Sequence, residues 1–381
     1  MALLTEVGQD QIACSIGEEL LATDELDHHQ TYKQDVLLSL AQANTNLAGE
    51  VMEDVRQPQR VTIACQRLEA ALALLRPRTP GGAPLAPELA RNLRQTLNEL
   101  HVQSALEQMS GPIGLAYENA RKHGMHSVRE LLRDTDVDVV SRRAGDSGAG
   151  TSPAVPLLGP ELAERLFVQL TNEELVHVHK WDVVARSPGA HKWVYPGLLE
   201  RVATAHILLG FLQFQPEYIK MALGILRHLP ARGELLVAQA VCQLLLGAVG
   251  PSVALLAQAE RAGGARSQRK EGTPEVGRPT AVWSTQALAF VREHTPAGEE
   301  GLLPGLCLFT ERWLAQVAVP LFRDTAQANP RIALSPYFDN TRVEALIAVY
   351  DEKGESAGDA SGALAGMASA WGGAVGGAAD V

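Results

Sequence analysis

Aromatic side chains are scarce in this chain: Phe, Trp and Tyr make up 5% of 381 residues, although apolar residues as a whole reach 46%. Sandwiches of β-strands draw their interiors from aromatic and β-branched residues, so a core built on Ala and Leu points to closely packed helices. Cysteine is scarcer still. Cys14, Cys65, Cys242 and Cys307 are far apart and show no CxxC spacing. That argues against a zinc knuckle or a disulfide framework and leaves four buried free thiols in apolar helical patterns. Positive charge is in deficit, with 33 Lys and Arg against 44 Asp and Glu and a formal net charge of -11. Such a chain repels a phosphate backbone, so no nucleic-acid partner is expected. No stretch supplies the about 20 strongly apolar residues needed to cross a bilayer, so no membrane span is expected in this chain. Met1 to Glu19 carries acids on a helical pattern and reads as neither signal nor transit peptide.

What the chain does have is helical period. Ile12, Ile16, Leu20 and Leu21 within Asp10–Ala22, and Val36, Leu37, Leu40 and Leu47 within Tyr32–Val55, describe two packed helices joined by a polar turn at Asp24–Gln30. A third helix follows Pro58, carries Val61, Ile63, Leu68, Leu72 and Leu75, and stops at Pro77. Pro87 opens a fourth after a turn over Pro80–Pro84, with Leu89, Leu93, Leu97 and Leu100 on one face. Short helical segments are expected over Ile113–His123 and Ser127–Arg133. The pattern resumes at Glu161–Leu170, Leu198–Phe214, Tyr218–Leu229, Glu234–Leu246, Val253–Arg261, Val282–Glu293 and Cys307–Phe322, with Pro and Gly between.

Helix after helix, with no alternating strands and no fixed repeat period, describes an all-α fold: an irregular α-solenoid of stacked helical hairpins in two blocks. Arg142–Pro156 is rich in Gly, Ser, Ala and Pro and has little to bury against its ordering entropy. The expected organisation is a first solenoid block over 1–135, a flexible linker over 136–158, and a second block over 159–350. The second block carries a flexible insert at 263–278, and a Gly/Ala-rich disordered tail follows over 351–381.

Motifs of catalysis occur without their context. Gly354-Glu355-Ser356-Ala357-Gly358 matches the G-x-S-x-G elbow, but the last histidine, His294, precedes the serine and no strand-to-helix turn surrounds it. Gly145-Asp146-Ser147-Gly148 resembles the serine segment of trypsin-like proteases and lies in the linker, with no β-barrel pattern before it. His177 and His179 stand two apart and point to different faces of a helix, and His28 and His29 sit in a polar turn, so no metal site is expected. Neither G-x-x-x-x-G-K-[ST] nor a strand-borne G-x-G-x-x-G is present, so no cofactor is expected. Trp313, Leu314, Val317, Leu321 and Phe322 form an apolar helical stripe that reads as core and as a possible flank of an interaction groove.

One run carries more than composition. Leu303, Pro304, Gly305, Leu306 and Cys307 are followed by Trp313 and Leu314, then by Pro320, Leu321, Phe322, Arg323, Asp324 and Thr325, then by Tyr337, Phe338 and Asp339. It resembles a segment of the plastid-division proteins named for accumulation and replication of chloroplasts, relatives of cyanobacterial ZipN. Ile16-Gly17-Glu18-Glu19-Leu20-Leu21 and Tyr32-Lys33-Gln34-Asp35-Val36-Leu37 resemble the start of the same family's helical region. The resemblance covers roughly residues 1–350 and is weak over 136–300. It implies a non-enzymatic scaffold on the stromal side of the chloroplast inner envelope, which binds FtsZ and tethers or stabilises its ring. A paralogous branch binding ring-positioning regulators, or a generic helical-repeat interaction module, are the competing readings. The run from Leu303 to Thr325 is expected to be mainly structural, with the groove residues that would take a partner left unassigned. Both ends depart from the family plan, with no transit peptide, J-like domain, membrane helix or intermembrane domain. The sequence therefore reads as part of a longer gene product.

Overall fold

Two apolar stripes on one helix, Gln30–Glu53, each with alanine in it, let neighbours approach it from both sides, and the first half of the structure grows from that helix. The computed structural model describes residues 2–23, 29–77, 84–143, 158–267, 280–296 and 301–352. It divides into two compact units, Met1–Gln169 with His191–Val194, and Leu170–Ala190 with Tyr195–Val381. Among the described residues there are helices and turns and no strand. The architecture is all-α, an irregular solenoid in which helices pair mostly with their chain neighbours. No helix among the described residues is long and apolar enough to cross a membrane. Most of the turns at 24–30 and 80–84, the linker from 144 to 157, most of the insert at 263–278, both serine motifs, His28 and the tail from 353 lie outside the described residues.

The first unit contains α1 (Ala2–Glu6), α2 (Asp10–Ala22), α3 (Gln30–Glu53), α4 (Arg60–Leu74), α5 (Pro87–Ser110), α6 (Glu118–Arg143) and α7 (Pro160–Val168). One stripe of α3, Val36, Leu40, Ala43 and Leu47, packs on Ala13 and Cys14 of α2. A second stripe, Ala41 and Ala48, joins Val61, Ala64, Cys65, Leu68 and Ala71 of α4 and Ala90, Leu93 and Leu97 of α5. Spacings of three and four place each set on one face, and the alanines allow the backbones to approach.

Helix ends in this unit are held by charged side chains from neighbouring elements. The Glu107 carboxylate on α5 accepts from the N–H groups of Val61 (3.4 Å) and Thr62 (2.8 Å) at the start of α4, where free donors and the helix dipole favour an anion. Arg121 is buried and donates to the carbonyls of Met109 (2.9 Å) and Gly111 (3.5 Å) at the end of α5 and of Gln169 (3.2 Å) after α7. Asp136 on α6 accepts from Trp193 Nε1 at 3.0 Å and contacts His191 Nδ1 at 2.8 Å, which brings His191–Val194 into this unit.

The structure differs from the sequence expectation at three places here. Ile113–His123 and Ser127–Arg133 were expected as two short helices, yet α6 runs unbroken from Glu118 to Arg143 after a 3₁₀ turn at Leu115–Tyr117. Gly124, between those two segments, is a point of close approach: a methyl there would lie 3.1 Å from Gln108 Cβ and 2.6 Å from Met109 Sδ. Helix α6 also continues past residue 136, and α7 packs on α5 and belongs to the first unit. On α2 the packed face is small, Ala13, Cys14 and Gly17, while Ile12, Ile16 and Leu20 are 48%, 39% and 36% exposed.

The second unit contains α8 (Asn172–His177), α9 (Trp181–Arg186), α10 (Leu198–Leu212), α11 (Pro216–Arg227), α12 (Gly233–Leu245), α13 (Val249–Ser267), α14 (Thr280–Thr285) and α15 (Ala287–Glu293). It ends with α16 (Leu303–Trp313), α17 (Arg323–Ala328), α18 (Ser335–Phe338) and α19 (Thr341–Glu352). Helices α10 and α12 are apolar nearly all round, as LLERVATAHILLGFL and GELLVAQAVCQLL show, and only full burial satisfies such helices. They pack on each other, with α8, α9, α11, α13, α14 and α16 around them. Tyr337 stacks on Phe211 at 5.4 Å and Phe214 at 6.4 Å, and its hydroxyl donates to the Leu245 carbonyl at 3.2 Å. Thr171 and Glu174 form a reciprocal capping box on α8, and Asp324 accepts from the Asn172 N–H at 3.0 Å.

Candidate functional site

The run from Leu303 to Thr325 enters α16 with Leu303 and Pro304 in its first turn, where the missing proline N–H costs nothing. Gly305 is required there, since a methyl would sit 2.0 Å from the Val291 carbonyl oxygen. Leu306, Cys307, Trp313 and Leu314 are buried. After Trp313 the chain widens into a π turn over Leu314–Ala318 and tightens into a 3₁₀ turn at Val319–Leu321. Pro320 lacks the N–H that a regular α register would need at that point, and Phe322 leaves the helix in an extended conformation, φ -119° and ψ 141°.

A clasp holds this irregular turn. The Thr325 hydroxyl lies 2.7 Å from the Val319 carbonyl and 3.3 Å from that of Phe322. Arg201 on α10 donates to the Leu321 carbonyl at 2.9 Å, and its guanidinium lies 5.1 Å over the Phe322 ring. Burial lowers the pKa of that guanidinium from its ordinary value. Phe322 and Thr325 are buried, Asp324 caps α8, Arg323 is half-buried and Pro320 is exposed.

Trp313 and Val317, four residues apart and so on one side of the helix, both reach a cavity of about 80 Å³. Its other walls are Trp283 of α14, Leu226 of α11, and Leu235, Val237 and Ala238 of α12. Glu200 and Thr204, one turn apart on α10, and Glu234 at the start of α12 supply its polar groups. Trp283 is held edge-to-face on Phe309 at 5.5 Å, and Phe309 packs on Phe290 at 6.0 Å. Arg232 reaches Glu200 at 3.4 Å. A cavity of this size, with two indoles and two carboxylates, fits one apolar side chain beside a cationic neighbour.

Trp313 and Val317 stand out in the sequence as members of an apolar stripe; Trp283, Glu200, Thr204 and Glu234 do not. The spacing of Glu200 and Thr204 was legible, but only the fold sets α10 beside the π turn at Leu314–Ala318, and α12 beside α14 and α16. The remaining motif residues do not converge. His177 Nε2 lies 3.4 Å from the Tyr218 hydroxyl, and the His179 ring lies against Trp181 at 5.8 Å. Among the described residues no group of three or more His, Cys, Asp or Glu could hold a metal. All four cysteines are free and buried. Desolvation raises each thiol above its usual range, Cys65 to about 11 and Cys307 to about 12, which disfavours the nucleophilic thiolate.

Comparison with known proteins adds identity to this geometry. The family model described as plastid division regulator ARM repeat matches residues 1–145, and that described as plastid division regulator alpha solenoid domain matches residues 170–369. Over 358 residues the chain is 27% identical to Protein Accumulation and Replication of Chloroplasts 6, chloroplastic, of Arabidopsis thaliana. That alignment covers 90% of this chain and 40% of the relative, so the chain spans less than half of the relative's length. No solved structure matches.

Proposed function

We propose that this chain, which belongs to the plastid division regulator family, is a non-enzymatic scaffold of chloroplast division that binds FtsZ and tethers or stabilises its ring. The observation that carries this reading is the cavity walled by Trp283, Trp313 and Val317, one edge of which is the family-like run from Leu303 to Thr325. A short tail peptide of FtsZ would place an apolar side chain between the two indoles and a basic one near Glu200 and Glu234. Aromatic walls supply contact area at small entropic cost, and the carboxylates supply orientation. Placement in the chloroplast follows the name of the Arabidopsis relative; placement on the stromal side of the inner envelope is part of the proposal.

The test is a pull-down of purified FtsZ by the 381-residue chain, with full-length FtsZ and with FtsZ lacking its C-terminal peptide. Retention that needs the peptide and is lost in Val317→Lys supports the reading. Retention independent of the peptide, or none at micromolar concentration, overturns it, and capture of a ring-positioning regulator instead assigns the chain to the paralogous branch. A fluorophosphonate probe that labelled the chain but not Ser356→Ala would overturn the non-enzymatic part.

A further inference from the structure

The first unit carries a groove that the proposal above does not use. Three helix faces line it over a volume of about 490 Å³: Gln59, Thr62, Cys65, Gln66 and Glu69 along α4 and just before it, His101, Ser104 and Gln108 on α5, and Ala120, His123, His126, Ser127, Glu130 and Leu131 on α6. The spacings of three and four put each set on one side of its helix. The lining holds amides, hydroxyls, imidazoles and carboxylates, and no lysine or arginine. Glu69 contacts His101 at 3.5 Å with its side chain 57% exposed, while Glu130 is already in an ion pair with Arg133.

The hydrogen bonds in the groove run in one direction. Glu107, fixed at the start of α4, accepts from the Thr62 hydroxyl at 2.8 Å. The Thr62 oxygen therefore accepts from Ser104, at 3.3 Å, and the Ser104 oxygen accepts from the Gln108 amide nitrogen, at 3.1 Å. A carboxylate can only accept, so the polarity of this relay is set at its Glu107 end. The other end of the relay is Gln108 Oε1, a buried acceptor with no donor among the described residues. Leaving such an atom unpaired is costly, because its desolvation is not offset by a new hydrogen bond.

We propose that this groove binds an extended, cationic peptide segment of a partner protein, with a main-chain N–H donating to Gln108 Oε1 and a Lys or Arg side chain on Glu69. A helix would present its apolar face and leave this amide and hydroxyl lining unpaired, whereas an extended chain offers N–H and C=O groups along its length. A phosphate-bearing ligand would meet carboxylates and no fixed cation. The proposal is independent of FtsZ binding by the second unit.

The test uses the full chain and an immobilised octapeptide library with one position fixed as Lys, Arg, Ala or Glu and the others randomised. The expected result is retention on the Lys or Arg sublibraries about tenfold above the Glu sublibrary. That preference should fall in Glu69→Gln, and Gln108→Leu should weaken every sublibrary while leaving the order of preference unchanged. Val317→Lys, in the other unit, should change nothing. No preference for a basic residue, or a preference that survives both Glu69→Gln and Gln108→Leu, overturns the proposal.

Discussion

In the first unit α2 to α5 bury one or two narrow stripes each and keep the rest wet, whereas in the second α10 and α12 are surrounded and aromatic residues fill the spaces between short helices. The difference shows two ways of stabilising a helical stack. Alanine stripes bring backbones together and leave long polar faces, which is how a groove such as that between α4, α5 and α6 arises. An enclosed pair of helices needs capping and clasping from outside, and irregular turns such as Leu314–Leu321 bury one side, Leu314, Ala318 and Val319, and expose the other.

The comparison breaks most visibly at the aromatic anchors. Trp313→Ala, at a site 4% exposed, is expected to cost about 3–5 kcal/mol, read as a shift in the urea midpoint of the second unit followed by hydrogen exchange. A variant that melts normally would make Trp313 an interface residue alone.

The next effect belongs to acid. His206 is 3% exposed with Nδ1 on the Val202 carbonyl, and burial holds it at about 4 instead of 6.5. The unfolded chain thus takes up this proton at higher pH than the folded one. The stabilisation is full above pH 6.5 and is lost as pH falls through the window down to about 4, amounting to about 3 kcal/mol. Urea titrations at pH 7, 5.5 and 4.5 should show that slope, and His206→Leu should flatten it.

In the first unit the largest polar effect is expected from Arg121→Met. It leaves the carbonyls of Met109 and Gln169 without their donor, at about 1–3 kcal/mol. Hydrogen exchange should rise first at the ends of α5 and α7. The smallest expected effect is that of Ile16→Ser on the exposed face of α2, within about 0.5 kcal/mol. A loss of 2 kcal/mol or more would mean that Ile16 is packed, as its helical spacing suggests.

That last pair shows what the sequence could and could not reveal. Period alone located α3, α4 and α5, because their buried leucines recur every three or four residues and Pro87 marks a start. It misassigned the face of α2, where the packed residues are Ala13, Cys14 and Gly17 and hydrophobicity points to the wrong side. Gly124, between the two short segments expected there, is a close contact that only the neighbouring Gln108 and Met109 explain. The Thr171-x-x-Glu174 box was a readable signal for α8. In the candidate site Trp313 and Val317 were visible within the apolar stripe, and their spacing of four already gives them a shared direction. Trp283, across a long connection, could not be placed beside them from spacing.

The measurement closest to the central claim is a fluorescence-anisotropy titration of a labelled FtsZ C-terminal peptide with the wild-type chain, Val317→Lys and Gln108→Leu. The account predicts saturable binding that is lost in Val317→Lys and retained in Gln108→Leu. Binding lost in Gln108→Leu and retained in Val317→Lys, or no saturation with the wild-type chain, would contradict it.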